Sequence, residues 1–86
     1  MDTFSALADP TRRNIIEMLA VNGRLSAKDI SKKFPISAPA ISQHLKVLKE
    51  THLVDMEKRA QQRIYSLNNQ TVSDIEKWAK QMQTLS

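Results

Sequence analysis

Residues 25–50 read LSAKDISKKFPISAPAISQHLKVLKE, and the way this stretch divides into elements decides the fold. Ser26-Ala27-Lys28-Asp29 resembles a capping box, with Asp in place of the usual Glu, and opens a helix of about eight residues running to about Lys33. Pro35 forbids its continuation. Ser37 is placed to cap a second helix, and Pro39 is tolerated there because first-turn N–H groups have no intrahelical partner. Ile41, Leu45 and Leu48 recur at steps of four and three, which docks one side of that helix on a core. A short helix, the tight turn FPI and a longer helix make a helix-turn-helix pattern. The free face of the second helix holds Ser37, Ala38, Pro39, Ala40, Ser42, Gln43 and Lys46, all small, hydrogen-bonding or basic, with no acid among them.

Upstream, Asp9-Pro10 is a helix start, since Asp can cap free N–H groups and Pro suits the first helical position. That helix carries Ile15, Ile16 and Leu19 inward and stops at Gly23, the only glycine, where a left-handed residue is wanted. Downstream, LVDMEK and RIYSLN alternate apolar and polar residues, as the two strands of a β-hairpin do. Their polar connector around Arg59–Gln62 lacks glycine, which leaves the loop type open. From Thr71 onward, Val72, Ile75, Trp78, Ala79, Met82 and Leu85 form a helical stripe. With a short first helix carrying Phe4 and Leu7, the expected order is α-α-α-α-β-β-α: mainly α with a small β-hairpin, a winged helix-turn-helix in one domain over residues 1–86.

Charge gives that fold a purpose. Residues 24–63 hold nine Lys/Arg against four Asp/Glu, a net +5, while residues 1–23 sum to −1 and residues 64–86 to zero. A basic middle between neutral ends is the footprint of a polyanion-binding surface. Ser42 and Gln43 can hydrogen-bond base edges in a major groove, and Ala38, Pro39 and Ala40 permit close approach. Lys28, Lys32, Lys33 and Lys46 are placed to meet phosphates, and Lys58, Arg59 and Arg63 suit a wing lying along the backbone. His44, one residue before Leu45, reads as structural, at the edge of the core or between helix and wing. The ring of His52, just after the second helix, is placed to cap its last carbonyls. Arg12 and Arg13 fit the positive end of a helix dipole poorly and read as structural or interface ion pairs.

Cysteine is absent, which removes disulfides, thiolate nucleophiles and thiolate metal sites together. There is no Gly-rich phosphate loop, no G-x-S-x-G and no inward-facing carboxylate pair, so the reading is not an enzyme. No apolar run approaches membrane-spanning length and no signal peptide opens the chain, so a cytoplasmic protein without membrane insertion is expected. A chain of 86 residues buries only roughly 60% of its unfolded surface, which makes a partner subunit a reasonable expectation.

FSALADPTRRNIIEML, LSAKDISKKF, ISAPAISQHLKVLKE, HLV and RIYSLN, in this order and spacing, resemble the arsenic-repressor (ArsR-type) family of bacterial winged-helix repressors. The resemblance implies a homodimer joined through its first and last helices, through Phe4, Leu7, Val72, Ile75, Trp78, Ala79, Met82 and Leu85, with two recognition helices on a palindromic double-stranded DNA operator. Many members carry Gly between the recognition helix and the wing, where this chain departs with His52, which tolerates a positive φ better than most residues though less well than Gly. Many members sense metals. One set of sensor positions falls here on Ser26 and Lys28, the other on about Asn69, Thr71, Met82 and Leu85, and neither is a usable zinc ligand set. With no metal and no cofactor expected, the chain looks like the short SdpR-like branch, whose members include autorepressors controlled by a regulatory partner protein. The rival reading is a winged helix that binds proteins, and such a module does not need the basic excess in residues 24–63.

Overall fold

A computed structural model describes all 86 residues. The helices are α1 (Thr3–Leu7), α2 (Pro10–Asn22), α3 (Ala27–Lys32), α4 (Ala38–Glu50) and α5 (Asn69–Leu85). The strands are β1 (Arg24–Ser26), β2 (Val54–Arg59) and β3 (Gln62–Leu67). Every helix begins on a side-chain oxygen that takes up a free backbone N–H: Asp2 from Ser5, Asp9 from Arg12, Ser26 from Asp29, Ser37 from Ala40 and Asn68 from Thr71. Such caps fix the starts locally, and α2 ends as expected on Gly23 at φ 84°, whose N–H donates to Leu19 O at 2.8 Å.

The hairpin expected from sequence is present as β2 and β3, and a third strand not expected from sequence joins it. Arg24–Ser26 pairs antiparallel with β3, giving a sheet in the order β1-β3-β2. Ser26 therefore ends a strand, caps α3 and is buried, all within one residue. The hairpin itself closes through a two-residue loop, Ala60-Gln61, between the paired Arg59 and Gln62. Only Ala60 of the two has positive φ, 53°, the pattern of a type II′ turn, in which Gly is the favoured first residue. His52, between α4 and β2, takes φ 60° as its position demanded.

The core is one cluster of Ala6, Ile15, Leu19, Ile30, Ile41, Leu45, Leu48, Leu53, Val54 and Tyr65. It draws on α1, α2, α3, α4, the α4–β2 connection and both hairpin strands, and seats α4 on the sheet by its apolar side. No residue of α5 is fully buried. At 17 residues that helix is about 26 Å long and runs off the core, which accounts for extents of 46 × 24 × 23 Å. The radius of gyration, 13.6 Å, correspondingly exceeds the about 12 Å expected of a compact chain this long.

Candidate nucleic-acid interface

Docking Ile41, Leu45 and Leu48 inward turns the rest of α4 to solvent. Ser37, Ala38, Pro39, Ser42, Gln43 and Lys46 are exposed and Ala40 is half-buried. Between this face and the hairpin lies a cleft of about 440 Å³, lined by Ser42, Gln43, Lys46 and Lys49 on one wall and by Met56, Lys58, Arg63 and Tyr65 on the other. Strand alternation puts Met56 and Lys58 on this side of β2, and the register sets Lys58 opposite Arg63. A second cleft of about 610 Å³ shares Lys58 and Arg63 and adds Lys28 with Gln61 and Gln62. Lys32 and Lys33 are exposed at the end of α3, outside both clefts.

Arg59 is placed apart from the other wing cations. The same alternation turns it and Glu57 to the opposite face of the hairpin, where Arg59 Nε donates to Glu57 Oε1 at 3.2 Å. Glu57 also pairs with Arg24 of β1, so one carboxylate ties both outer strands across β3. The hydrogen bond from Arg59, then that from Arg24, holds the Glu57 carboxyl below its ordinary range. Lys28, Lys32, Lys33, Lys46, Lys49, Lys58 and Arg63 have no carboxylate partner at all. Seven unneutralised cations thus flank an acid-free helix face, leaving a local field that favours a polyanion. Lys49 and the cleft-lining Tyr65 were not among the residues expected from sequence. For Lys49 the signal was present, since it lies seven residues after Ser42 and three after Lys46, on the same side of the helix.

His44 does not face the wing. It is half-buried at the edge of the core, on the side of α2, with Nδ1 3.4 Å from Arg12 Nη1 and 3.9 Å from Asp9 Oδ2. Arg12 and Arg13 are structural, but not by way of the expected carboxylate pairs: Arg12 Nε donates to Ala6 O at 2.7 Å and Arg13 Nη1 to Leu7 O at 3.0 Å. The His52 ring makes no hydrogen bond to the end of α4 and instead lines a recess with Phe4 and Trp78.

On the far side, Val72, Trp78, Ala79, Met82 and Leu85 are exposed along α5, while Leu7 and Ile75 are half-buried against the core. Phe4 and Trp78 each remain 47% exposed although their rings already touch within the chain, at a centroid distance of 4.8 Å and an angle of 52°. The first and last helices therefore form one composite apolar face. No three His, Cys, Asp or Glu residues come together as a metal-holding group, and no helix is long and apolar enough to cross a membrane.

The sequence profile of bacterial regulatory proteins of the arsR family matches residues 9–56, from the cap of α2 to the middle of β2. The transcriptional repressor SdpR of Bacillus subtilis (strain 168) is 39% identical over 77 residues, 90% of this chain and 84% of that protein. The HTH-type transcriptional regulator Rv2034 of Mycobacterium tuberculosis is 46% identical over 65 residues, 76% of this chain and 60% of that protein. Among solved structures, that of a possible transcriptional regulator for arsenical resistance superposes with a TM-score of 0.85 at 33% identity, covering 95% of this chain and 84% of the other. Five capped helices, a wing and a basic recognition face, with relatives of this likeness, lead to one conclusion: the chain belongs to the arsR family of bacterial regulatory proteins, DNA-binding transcriptional regulators built on a winged helix-turn-helix.

Proposed function

We propose that the protein is a homodimeric repressor that occupies a palindromic operator, including one at its own promoter, and blocks transcription there. The observation that carries this reading is the set of seven unpaired cations around the acid-free face of α4. In it, Ser42 and Gln43 read base edges and Ser37, Ala38, Pro39 and Ala40 allow the helix to sit close. Lys28, Lys32, Lys33, Lys46, Lys49, Lys58 and Arg63 neutralise phosphates, with Arg59 contributing less because Glu57 already holds it. The face of α1 and α5 joins two copies across a two-fold axis and spaces the recognition helices about 34 Å apart.

The arsenical-resistance relative raises metal-controlled release as the competing reading. Against it stand the absence of cysteine and the residues at the family's sensor positions: Ser26, occupied in capping α3, Lys28, Asn69, Thr71, Met82 and Leu85. Soft metals and arsenite want thiolates, and zinc wants imidazole, thiolate or carboxylate. This leaves release to a signal other than a metal, such as the regulatory partner protein that the family resemblance implies. The test is selection of bound duplexes from a random library, followed by titration at increasing salt. Roughly six to ten of the fourteen such cations on a dimer, seven from each copy, engaging phosphates at once give a log–log salt slope of about −5 to −9, whereas a slope shallower than about −2 favours a protein-interaction module. In the same assay, saturable release by zinc, cadmium or arsenite near one per subunit would overturn the metal-independent reading.

A further inference from the structure

Arg12 stands where a cation fits poorly, in the first turn of α2 at the positive end of its dipole. Its side chain crosses to the negative end of α1. Nε donates to Ala6 O at 2.7 Å and Nη2 reaches Ser5 O at 3.5 Å, both in the last turn of that helix. The same guanidinium sets Nη1 3.4 Å from His44 Nδ1 on α4. Arginine has no acceptor, so this contact is a hydrogen bond only when Nδ1 carries a lone pair, in the neutral ring protonated on Nε2. One planar fork thus joins α1 to the recognition helix at the residue next to Gln43. A second tie, from Thr3 Oγ1 to Thr51 O at 3.2 Å, fastens α1 to the far end of α4. On its other side α1 meets α5, where Phe4 packs on Trp78. Contacts therefore run without a break from the apolar face of α5, through α1 and Arg12, to His44.

We infer that Arg12 is a positioning residue for DNA recognition: held by the carbonyls of α1, its guanidinium fixes α4 through Nδ1 of His44, so that the seating of α1 and α5 sets the angle at which Ser42 and Gln43 meet DNA. This rests on the DNA-binding reading above and adds two residues that need not touch DNA. It also explains why a helix of five residues is tied down by Asp2, Thr3, Arg12 and Arg13 together.

The test measures, for the full chain, affinity for a duplex enriched by wild type from a random library and for an unrelated duplex of the same length. His44→Phe keeps the bulk of a ring and removes the acceptor. His44→Asn puts an amide oxygen near the position of Nδ1, and Arg12→Lys keeps the charge but loses the fork. His44→Phe and Arg12→Lys should each lower the ratio of the two affinities by about five- to tenfold, and His44→Asn should stay within about twofold of wild type. The double variant should do no worse than Arg12→Lys alone, because both substitutions break the Arg12–His44 contact and only Arg12→Lys also frees the α1 carbonyls. Salt slopes should not change, since no phosphate contact is lost. Thermal unfolding of each variant sets a temperature at which all are folded, and Arg12→Lys carries the test if His44→Phe does not fold. A folded His44→Phe or Arg12→Lys with the wild-type ratio, or losses that add in the double variant, would overturn the inference. A wild type with no preference and a shallow salt slope would instead overturn the DNA-binding reading itself.

Discussion

Gln43 and Lys58 are both exposed in the same cleft, yet their chemistry differs. An amide can pair with a base edge in two directions at once, while an ammonium is a point charge that any phosphate satisfies. Gln43→Ala should weaken binding to the selected duplex by about 1–3 kcal/mol and leave unrelated DNA nearly unaffected. Lys58→Ala should weaken both duplexes by similar factors and reduce the salt slope by about one. Fluorescence anisotropy on the two duplexes distinguishes these outcomes, and equal behaviour of the two variants would remove α4 as the reading helix. Ala60 belongs to the same scale for a different reason. It holds φ 53° with a Cβ, at the tip of the wing. Ala60→Gly should raise stability by about 1 kcal/mol, visible as a higher urea midpoint at unchanged m-value, because the strain is relieved in the folded state.

Among the elements, α5 is the one whose amphipathic stripe is covered least within the chain, Trp78 meeting Phe4 of α1. Its apolar residues stay exposed along 17 residues, and only Ile75 reaches the core. Phe4 and Trp78 touch within a single chain, so the apolar surface there is made by two helices. Trp78→Ala should abolish dimers and lose operator binding although Trp78 touches no DNA, with a cost of about 3–5 kcal/mol if the ring is fully buried at the interface. Sedimentation of wild type and variant, beside titrations of half-site and full-site duplexes, decides it. A wild type that stays monomeric at micromolar concentration and binds a half-site as tightly as a palindrome would contradict the assembly proposed.

For the whole molecule, acid is the informative variable. The Asp2, Asp9 and Glu57 carboxyls all ionise more readily than ordinary ones: Asp2 through the backbone N–H of Ser5, Asp9 through that of Arg12, and Glu57 through Arg59. A carboxyl easier to ionise when folded stabilises the fold above its unfolded pKa, and that contribution disappears as acid protonates it. Stability should therefore be insensitive to these groups from pH 7 to 5 and fall as pH drops below about 4. Urea unfolding at pH 7, 5 and 3 measures the fall, and Asp9→Asn, whose amide oxygen can still cap α2, should make it smaller. These groups sit at solvent-facing positions, so the effect is a gentle slope and not a sharp acid transition.

What the sequence by itself determined is what depends on neighbours along the chain. Asp9-Pro10, Ser26, Ser37 and Gly23 carry their cap chemistry in their own side chains and backbone, so helix ends were legible, as were the apolar steps of α2, α4 and α5. The lack of cysteine and the basic excess of residues 24–63 needed no coordinates either. Tertiary structure alone decided the features that depend on distant partners. A three-residue segment such as Arg24–Ser26 has no period of its own and becomes a strand only because β3 offers it a free edge. Lys58 and Arg59, adjacent in sequence, part company because register and the pleat of β2 send one to the cleft and the other to Glu57. His44 reads as structural from its place beside Leu45, but its partner is invisible until folding brings Arg12, 32 positions away, to within 3.4 Å of its ring. Periodicity and capping act over a few residues and leave a mark in the letters. Pairing across the sheet and between helices is set by which backbone and side-chain groups remain unsatisfied once those local elements have packed.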